Sequence, residues 1–167
     1  ETVEPVLRAL GAHGQYLASS KWYLPRHNHG IDADIALLTL ATAVPTFSEA
    51  SQWRETAIKR LNQQLADTIS PSGVHLEHSP GYHLTTLQHL FELQQFALER
   101  KIDPFNGPEF ADLLRRMAAF AQYLALPDGR VLPFGDSLPD ATVDEALPVL
   151  KALNEGLPEL RFTMTRG

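Results

Sequence analysis

The chain has 167 residues, of which 44% are hydrophobic and 20% charged, and this composition predicts a folded chain with a core rather than a disordered segment. Its formal net charge of −6 argues against a general nucleic-acid-binding or anionic-membrane surface, because both need a basic footprint. The absence of cysteine excludes disulfides and thiolate chemistry, and no apolar stretch or signal-peptide pattern indicates a membrane span or a leader.

The first predicted elements are helices. One is expected at about residues 5–18, and a second follows Gly30. The apolar residues of the second helix recur at helical spacing and define one buried face: Ile31, Ile35, Leu37, Leu38 and Ala41. A third helix is expected to begin at a capping box formed by Thr46 and Glu49. Its core positions follow at four-residue steps: Trp53, Ala57, Leu61 and Leu65.

Two more helices have clear starts. Ser79 and Pro80 are typical of an N-cap and a first helical residue. The fourth helix that they open is predicted to face inward with Leu84, Leu87, Phe91, Gln95 and Leu98. Pro108 opens a fifth helix. Its predicted inward positions are Phe110, Leu113, Leu114, Met117, Ala121 and Leu124.

The last part of the chain has weaker signals. Pro127-Asp128-Gly129 predicts a turn, and residues 130–134 are the one segment with an extended pattern. A second capping box, Thr142 with Glu145, predicts a short final helix. Because the helices follow one another through short or medium loops, we predict an all-α fold of antiparallel helical hairpins.

The loop at residues 19–30 combines aromatic, cationic and amide side chains. Aromatic faces cover the apolar faces of sugar rings, and cations bind carboxylate or sulfate oxygens, so this mixture is typical of carbohydrate sites. Lys21, Trp22 and Arg26 are candidates for such contacts. The alternative is structural: Trp22 and Tyr23 would plug the end of a helix pair.

The second specialised loop, residues 70–79, leads to Tyr82. If Ser79 is the N-cap, the phenol lies in the first helical turn, where the partial positive charge of the helix end favours a phenolate that can exchange protons. The alternative is a surface tyrosine with an ordinary hydrogen bond. Four histidines lie between Val74 and His89, but their spacing does not place two on one helix face, so no metal is expected.

The sequence gives little support for other classes of catalytic site. Asp32 and Asp34 are two apart on a helix and therefore diverge, which suits the electrostatics of a helix start better than paired acid-base catalysis. The sequence contains no glycine-rich phosphate loop and no nucleophile elbow.

A family resemblance rests on motifs in a fixed order: Asn28-His29-Gly30, the run from Glu77 to His83, Pro127-Asp128-Gly129-Arg130, and Pro133-Phe134-Gly135-Asp136-Ser137. Over about residues 21–140 they resemble the heparinase II/III-like polysaccharide lyases. The resemblance implies an (α/α) toroid of helical hairpins followed by a β-sandwich. Residues 1–167 would be a single helical domain and part of an incomplete toroid, with the β-sandwich absent from this chain.

The resemblance also implies an activity, namely eliminative cleavage of uronate polysaccharides such as heparan sulfate or alginate, without a cofactor. The implied partners are an anionic polysaccharide or oligosaccharide and the remainder of a parent chain. The net charge and the lack of a long apolar stretch predict no nucleic-acid and no membrane partner. The implied location is periplasmic or secreted. Some alginate-cleaving members carry a second asparagine where His27 precedes Asn28, so alginate is the weaker assignment.

Residue roles follow from the same resemblance. Asn28 and His29 would neutralise the uronate carboxylate and stabilise the developing anion, while Tyr82 would protonate the leaving oxygen and could also be the base. The implied substrate-positioning residues are Trp22, Arg26, Glu77 and His83. Two alternatives remain: a non-catalytic carbohydrate-binding or scaffold domain, and a toroid glycoside hydrolase with Glu77 and Asp136 as its carboxylate pair.

Overall fold

The computed structural model describes residues 3–144 and 146–153 and divides the chain into two compact units, Glu1–Thr68 and Ile69–Gly167. The first unit contains α1 (Val3–Ala18), α2 (Asn28–Ala43) and α3 (Ala50–Thr68). The second contains α4 (Pro80–Arg100), α5 (Pro108–Ala121), a 3₁₀ turn (Gln122–Leu124) and α6 (Leu147–Leu153). Within the described ranges the only β-type pairing is isolated bridges, which confirms the all-α prediction. The single domain over residues 1–167 stays a prediction.

The first unit is a helical hairpin with α1 packed against it. Helices α2 and α3 contact each other along their apolar faces, which bury Leu37, Leu38, Ala41, Trp53, Ala57, Leu61 and Leu65. Ile35 is only half-buried. Helix α1 approaches the hairpin at Gly14, where a Cβ would collide with the ring of Trp53. The predicted core positions of α3 are therefore confirmed, because a 3.6-residue period brings them all onto one face.

The predicted capping box at Thr46 and Glu49 is wrong. Helix α3 begins at Ala50, because the preceding residues form turns in which the Phe47 amide donates to the Val44 carbonyl. The Glu49 carboxylate accepts from the Ser48 hydroxyl at 2.6 Å, and this hydrogen bond lowers its pKa. The turn that joins α2 to α3 therefore determines where α3 begins, and the local sequence motif does not.

The start of α4 matches its prediction, whereas its predicted face does not. Ser79 is the N-cap and Pro80 the first helical residue. Leu84 and Leu87 are buried, but Phe91 is half-buried and Gln95 and Leu98 are exposed. The buried face continues instead through Leu90, Leu93, Gln94 and Ala97. This buried face also contains the polar residues His83 and Gln94, which a search for periodic apolar residues does not detect.

The rest of the second unit is close to prediction. Of the predicted inward positions of α5 and the 3₁₀ turn, Phe110, Leu114, Met117, Ala121 and Leu124 are buried, and Leu113 is half-buried. The turn at Pro127-Asp128-Gly129 is confirmed, and residues 130 and 131 form isolated bridges rather than a strand. Glu145 lies outside the described residues, so the second capping box stays a prediction. Among the described helices, none is both long and apolar enough for a membrane span.

Candidate active site

In the first unit, a buried glutamine fixes the chain that leads to Asn28. The Oε1 atom of Gln64 accepts from the Arg26 amide at 2.6 Å, and its Nε2 donates to the Leu24 carbonyl at 3.3 Å. Arg26 has a φ of 60°, in the left-handed region. At Gly30 a Cβ would collide with both the Gln64 amide and the Leu24 carbonyl. The loop therefore enters α2 along a path that α3 fixes.

Asn28 and His29 are the first two residues of α2, with His27 as the N-cap. The His29 amide donates to Oδ1 of Asn28 at 2.7 Å and to Nδ1 of His27 at 3.3 Å. The rings of His27 and His29 stack at 4.8 Å, and His29 is exposed while Asn28 is half-buried. Because the amino end of a helix carries partial positive charge, an anion is favoured beside these side chains.

Beneath the same loop lies an ionic network that the sequence prediction missed. The Tyr23 hydroxyl donates to Oδ2 of Asp34 at 2.9 Å. The Arg60 guanidinium lies 3.7 Å from Oδ1 of Asp34 and 4.1 Å from the centre of the Tyr23 ring. Asp34 is fully buried, and this burial raises its pKa to about 7.

The network changes the interpretation of Asp34. The sequence pattern favoured a role in helix-start electrostatics, and that prediction is wrong because the Asp34 carboxylate contacts Tyr23 and Arg60 instead. Arg60 also donates to the carbonyls of Leu17 and Ala18, each at 2.9 Å, at the end of α1. One cation thus joins α1, the loop and α2.

The three candidates for ligand contacts in this loop, Lys21, Trp22 and Arg26, face solvent. Trp22 is 56% exposed and stacks on Tyr16 at 6.2 Å, with the Lys21 ammonium 4.7 Å from its ring centre. The exposed Arg26 side chain lies 3.4 Å from the Asp67 carboxylate. Of the two aromatic residues for which a purely structural role was the alternative, only Tyr23 has such a role. Trp22 and Arg26 are accessible to a ligand.

A substitution at Gly30 tests how tightly this loop is held. We expect Gly30→Ala to destabilise the protein by about 1–3 kcal/mol, since the methyl group must displace the Gln64 amide or the Leu24 carbonyl. Urea unfolding measures the change. Gly11→Ala is the matched control, because its Cβ would lie 3.5 Å from the Phe47 ring, an ordinary contact, and alanine favours the helix. Equal stability of the two variants would show that Gln64 and Leu24 do not hold the loop tightly at Gly30.

In the second unit, Tyr82 is the third residue of α4 and its backbone is capped. Its amide donates to Oγ of Ser79 at 3.3 Å. A second hydroxyl, that of Ser137, accepts from the Gly81 amide at 2.8 Å and lies 3.1 Å from Oγ of Ser79. The motif around Tyr82 and the motif that ends at Ser137 therefore hydrogen-bond to each other.

Gly135 allows this close approach. Its φ is 58°, and a Cβ there would collide with the carbonyl oxygen of His78. His78 is itself left-handed, with a φ of 55°. Both residues have conformations that glycine adopts readily and that other residues adopt rarely. The left-handed backbone at these two positions therefore lets the two loops approach each other closely.

Tyr82 borders a cavity of about 400 Å³. Its polar lining consists of Thr85, Gln88, Asp136, Ser137, Asp140 and Thr142. Tyr82 is half-buried, so part of the residue is packed and part of it is accessible. Glu77 is half-buried on the preceding loop and is not among the lining residues of this cavity, whereas Asp136 is. The cavity therefore does not bring together Glu77 and Asp136, the carboxylate pair named for a hydrolase.

His83 is buried and held by the backbone. Its Nε2 donates to the Met117 carbonyl at 3.0 Å, and its Nδ1 accepts from the His75 amide at 3.3 Å. Burial lowers its pKa to about 4, so the ring is neutral near pH 7. These contacts join the loop before α4 to α5 and give no support to the predicted role in substrate positioning.

The residues that sequence analysis missed share one signal. Gln64 is a polar residue in the buried stripe of α3, and Asp34 is one in the stripe of α2. A buried polar side chain needs a hydrogen-bond partner. A polar residue within an otherwise apolar helix face therefore indicates a hydrogen bond to a neighbouring segment. In the part of the chain that the structure describes, no three histidine, aspartate or glutamate side chains lie close enough to hold a metal ion.

Comparison with known proteins gives the family. The family described as Heparinase II/III N-terminus matches residues 4–156. The chain belongs to this family. It is 27% identical over 93 residues to the heparin-sulfate lyase of Bacteroides thetaiotaomicron, covering 56% of this chain and 13% of that protein. It is 24% identical over 125 residues to the heparin-sulfate lyase of Pedobacter heparinus, covering 75% and 19%.

Solved structures support the architecture of this heparinase II/III segment. The heparan sulfate lyase of Pedobacter heparinus matches with a TM-score of 0.68 at 20% identity, over 98% of this chain and 26% of that chain. A heparinase III structure matches with a TM-score of 0.74 at 23% identity, over 92% and 25%. The chain thus spans about a quarter or less of these relatives. The prediction of part of an (α/α) toroid is confirmed.

Proposed function

We propose that this chain is part of the catalytic domain of a lyase that cleaves uronate-containing polysaccharide by β-elimination. The observation that carries the proposal is the placement of Tyr82, whose backbone is capped at the head of α4 and whose side chain borders an open cavity. Family membership supplies the reaction class, since the curated relatives are named as heparin-sulfate lyases.

The proposed chemistry needs three functions. A base removes the proton at C5, the electron pair forms the C4–C5 double bond, and the C4–O bond breaks as the leaving oxygen takes a proton. Loss of the C5 proton puts further negative charge on the uronate carboxyl group, so hydrogen-bond donors must stabilise it. Asn28 and His29 are proposed for this function, because they lie at a helix start where an anion is favoured. Tyr82 is proposed to donate the proton to the leaving oxygen, and is also a candidate for the base.

The proposed substrate is an anionic polysaccharide of the heparan sulfate type. The exposed cations Lys21 and Arg26 suit sulfate or carboxylate groups, and the exposed Trp22 ring suits a sugar face. Alginate is the weaker candidate, since His27 stands where some alginate-cleaving members carry asparagine. Because intact polysaccharides do not cross membranes unaided, we also propose that the protein acts in the periplasm or outside the cell.

An elimination assay on the longest natural chain that contains residues 1–167 tests the proposal. Heparan sulfate, heparin, alginate and a neutral polysaccharide form the panel, and the unsaturated uronate is followed by its ultraviolet absorbance. We expect an increase with a sulfated uronan and none with the neutral polymer. New reducing ends without absorbance would indicate a hydrolase, and binding without cleavage would indicate a carbohydrate-binding domain. Either outcome contradicts the proposal.

A further inference from the structure

We propose that Ser137 is a positioning residue for Tyr82. Its hydroxyl reaches the first turn of α4 from a distant loop and holds the backbone immediately before the candidate acid. This inference rests on the proposed function, because a positioning residue has meaning only if Tyr82 acts on a substrate. Nothing in the sequence assigns Ser137 a role beyond its place in a motif.

The first turn of α4 has two capping hydroxyls rather than one. The first amides of a helix have no partner within the helix, and a single N-cap side chain usually satisfies one of them. Here Oγ of Ser79 accepts from the Tyr82 amide, and Oγ of Ser137 accepts from the Gly81 amide at 2.8 Å. The two hydroxyls lie 3.1 Å apart, so one donates to the other. Two consecutive residues are thereby held by a connected pair.

The surroundings of this pair are closely fitted. Ser79 is 3% exposed, so its hydroxyl lies away from competing water. A Cβ at Gly81 would lie 3.4 Å from Oγ of Ser137, and a Cβ at Gly135 would collide with the His78 carbonyl. A larger residue at Gly135 would push the loop away from the helix, whereas a methyl group at Gly81 would make only an ordinary contact. The contact therefore depends on the backbone at Gly135 as well as on the two serines.

The pair also links Tyr82 to the wall of its cavity. Ser137 and Tyr82 both border the cavity, and Ser137 lies between two further lining residues, Asp136 and Leu138. Loss of the Ser137 hydroxyl leaves the Gly81 amide without its partner and frees the loop from the helix. Small displacements of a reacting group reduce turnover strongly, because catalysis depends on alignment. We therefore expect loss of the Ser137 hydroxyl to lower kcat more than it weakens substrate binding.

Kinetics of Ser137→Ala in the natural full-length protein test the inference. We expect kcat to fall about tenfold to a hundredfold, with KM changed less than about threefold. Ser137→Thr keeps a hydroxyl and should recover most of the turnover. Ser137→Cys, of similar size but a weaker acceptor, should lie between alanine and the wild type. The matched control is Ser72→Ala, which removes an exposed hydroxyl that hydrogen-bonds to the Ser70 hydroxyl at 2.9 Å and should leave kcat unchanged.

Amide hydrogen exchange gives a second readout that does not need a substrate. In Ser137→Ala the Gly81 amide should exchange faster, while amides in the middle of α4 keep their protection. If Ser137→Ala does not fold, the cysteine variant carries both measurements. Wild-type kcat in the alanine or cysteine variant, with Tyr82→Phe inactive, would overturn the positioning role and leave the proposed function standing. Absence of any unsaturated product from the wild type would instead refute the proposed function.

Discussion

Replacing Tyr82 by phenylalanine is expected to reduce kcat for elimination by about a hundredfold to ten-thousandfold, the usual contribution of a positioned general acid or base. Phenylalanine keeps the ring and removes only the hydroxyl. The capping contact of residue 82 uses its backbone amide, so the start of α4 should stay intact. Steady-state kinetics on the ultraviolet signal measure the loss, and circular dichroism checks the fold.

Tyr123→Phe is the matched control for this change. Tyr123 belongs to the same compact unit, is 69% exposed, and lies outside the residues that line the Tyr82 cavity. Its loss of a phenolic hydroxyl should leave kcat within about twofold, because surface substitutions away from a site have small effects. A Tyr82→Phe protein with kcat within threefold of the wild type would remove Tyr82 from the mechanism.

Acidification from pH 7 to pH 4 is expected to act in opposite directions through two buried groups, one in each compact unit. In the second unit, burial lowers the pKa of His83 from 6.5 to about 4. Between these values the unfolded chain binds a proton that the folded chain does not. This contribution to stability is therefore complete above pH 6.5 and is lost as the pH falls to about 4, by on the order of 3 kcal/mol.

In the first unit the sign is reversed. Burial raises the pKa of Asp34 from 3.8 to about 7, so between these values the folded chain binds a proton that the unfolded chain does not. The contribution is most favourable below pH 3.8 and is lost as the pH rises through 7, by on the order of 4 kcal/mol. The cause is the burial of a carboxylate that the hydrogen bond from Tyr23 and the charge of Arg60 only partly offset.

Hydrogen exchange, corrected for the intrinsic pH dependence of amide rates, measures each unit separately. His83→Gln should remove the acid sensitivity of the second unit, and Asp34→Asn should remove the opposite trend in the first. His13→Gln is the control, since His13 is exposed and its ring contacts only the Ala9 carbonyl at 2.7 Å. Parallel pH profiles of the wild type and both test variants would contradict these assignments.

Three features that depend on neighbours along the chain were predicted correctly from the sequence. The Ser79 cap, the proline that opens α5 and the turn at Gly129 are all set by local backbone chemistry. The capping box predicted at Thr46 and Glu49 was wrong because a local motif contains no information on where the connection between α2 and α3 turns. The face of α4 was lost after Leu87 because polar residues occupy part of its buried stripe.

The details of the candidate site were harder to predict because they join residues distant in sequence. The Gly81–Ser137 hydrogen bond spans 56 positions, and the contact of Arg26 with Gln64 spans 38. Composition and periodicity carry no information about such pairs. The motifs did identify Asn28, His29 and Tyr82, and the structure places each in the first turn of a helix. Their catalytic roles stay predictions.

The mass of the cleavage products distinguishes elimination from hydrolysis. Elimination leaves a double bond in the new terminal uronate, whereas hydrolysis adds one water across the broken bond. We predict that the full-length protein converts a sulfated uronan into oligosaccharides in which the new non-reducing end is one water lighter than its hydrolytic counterpart, and that Tyr82→Phe does not. Products at the hydrolytic mass, formed equally well by the variant, would contradict the account.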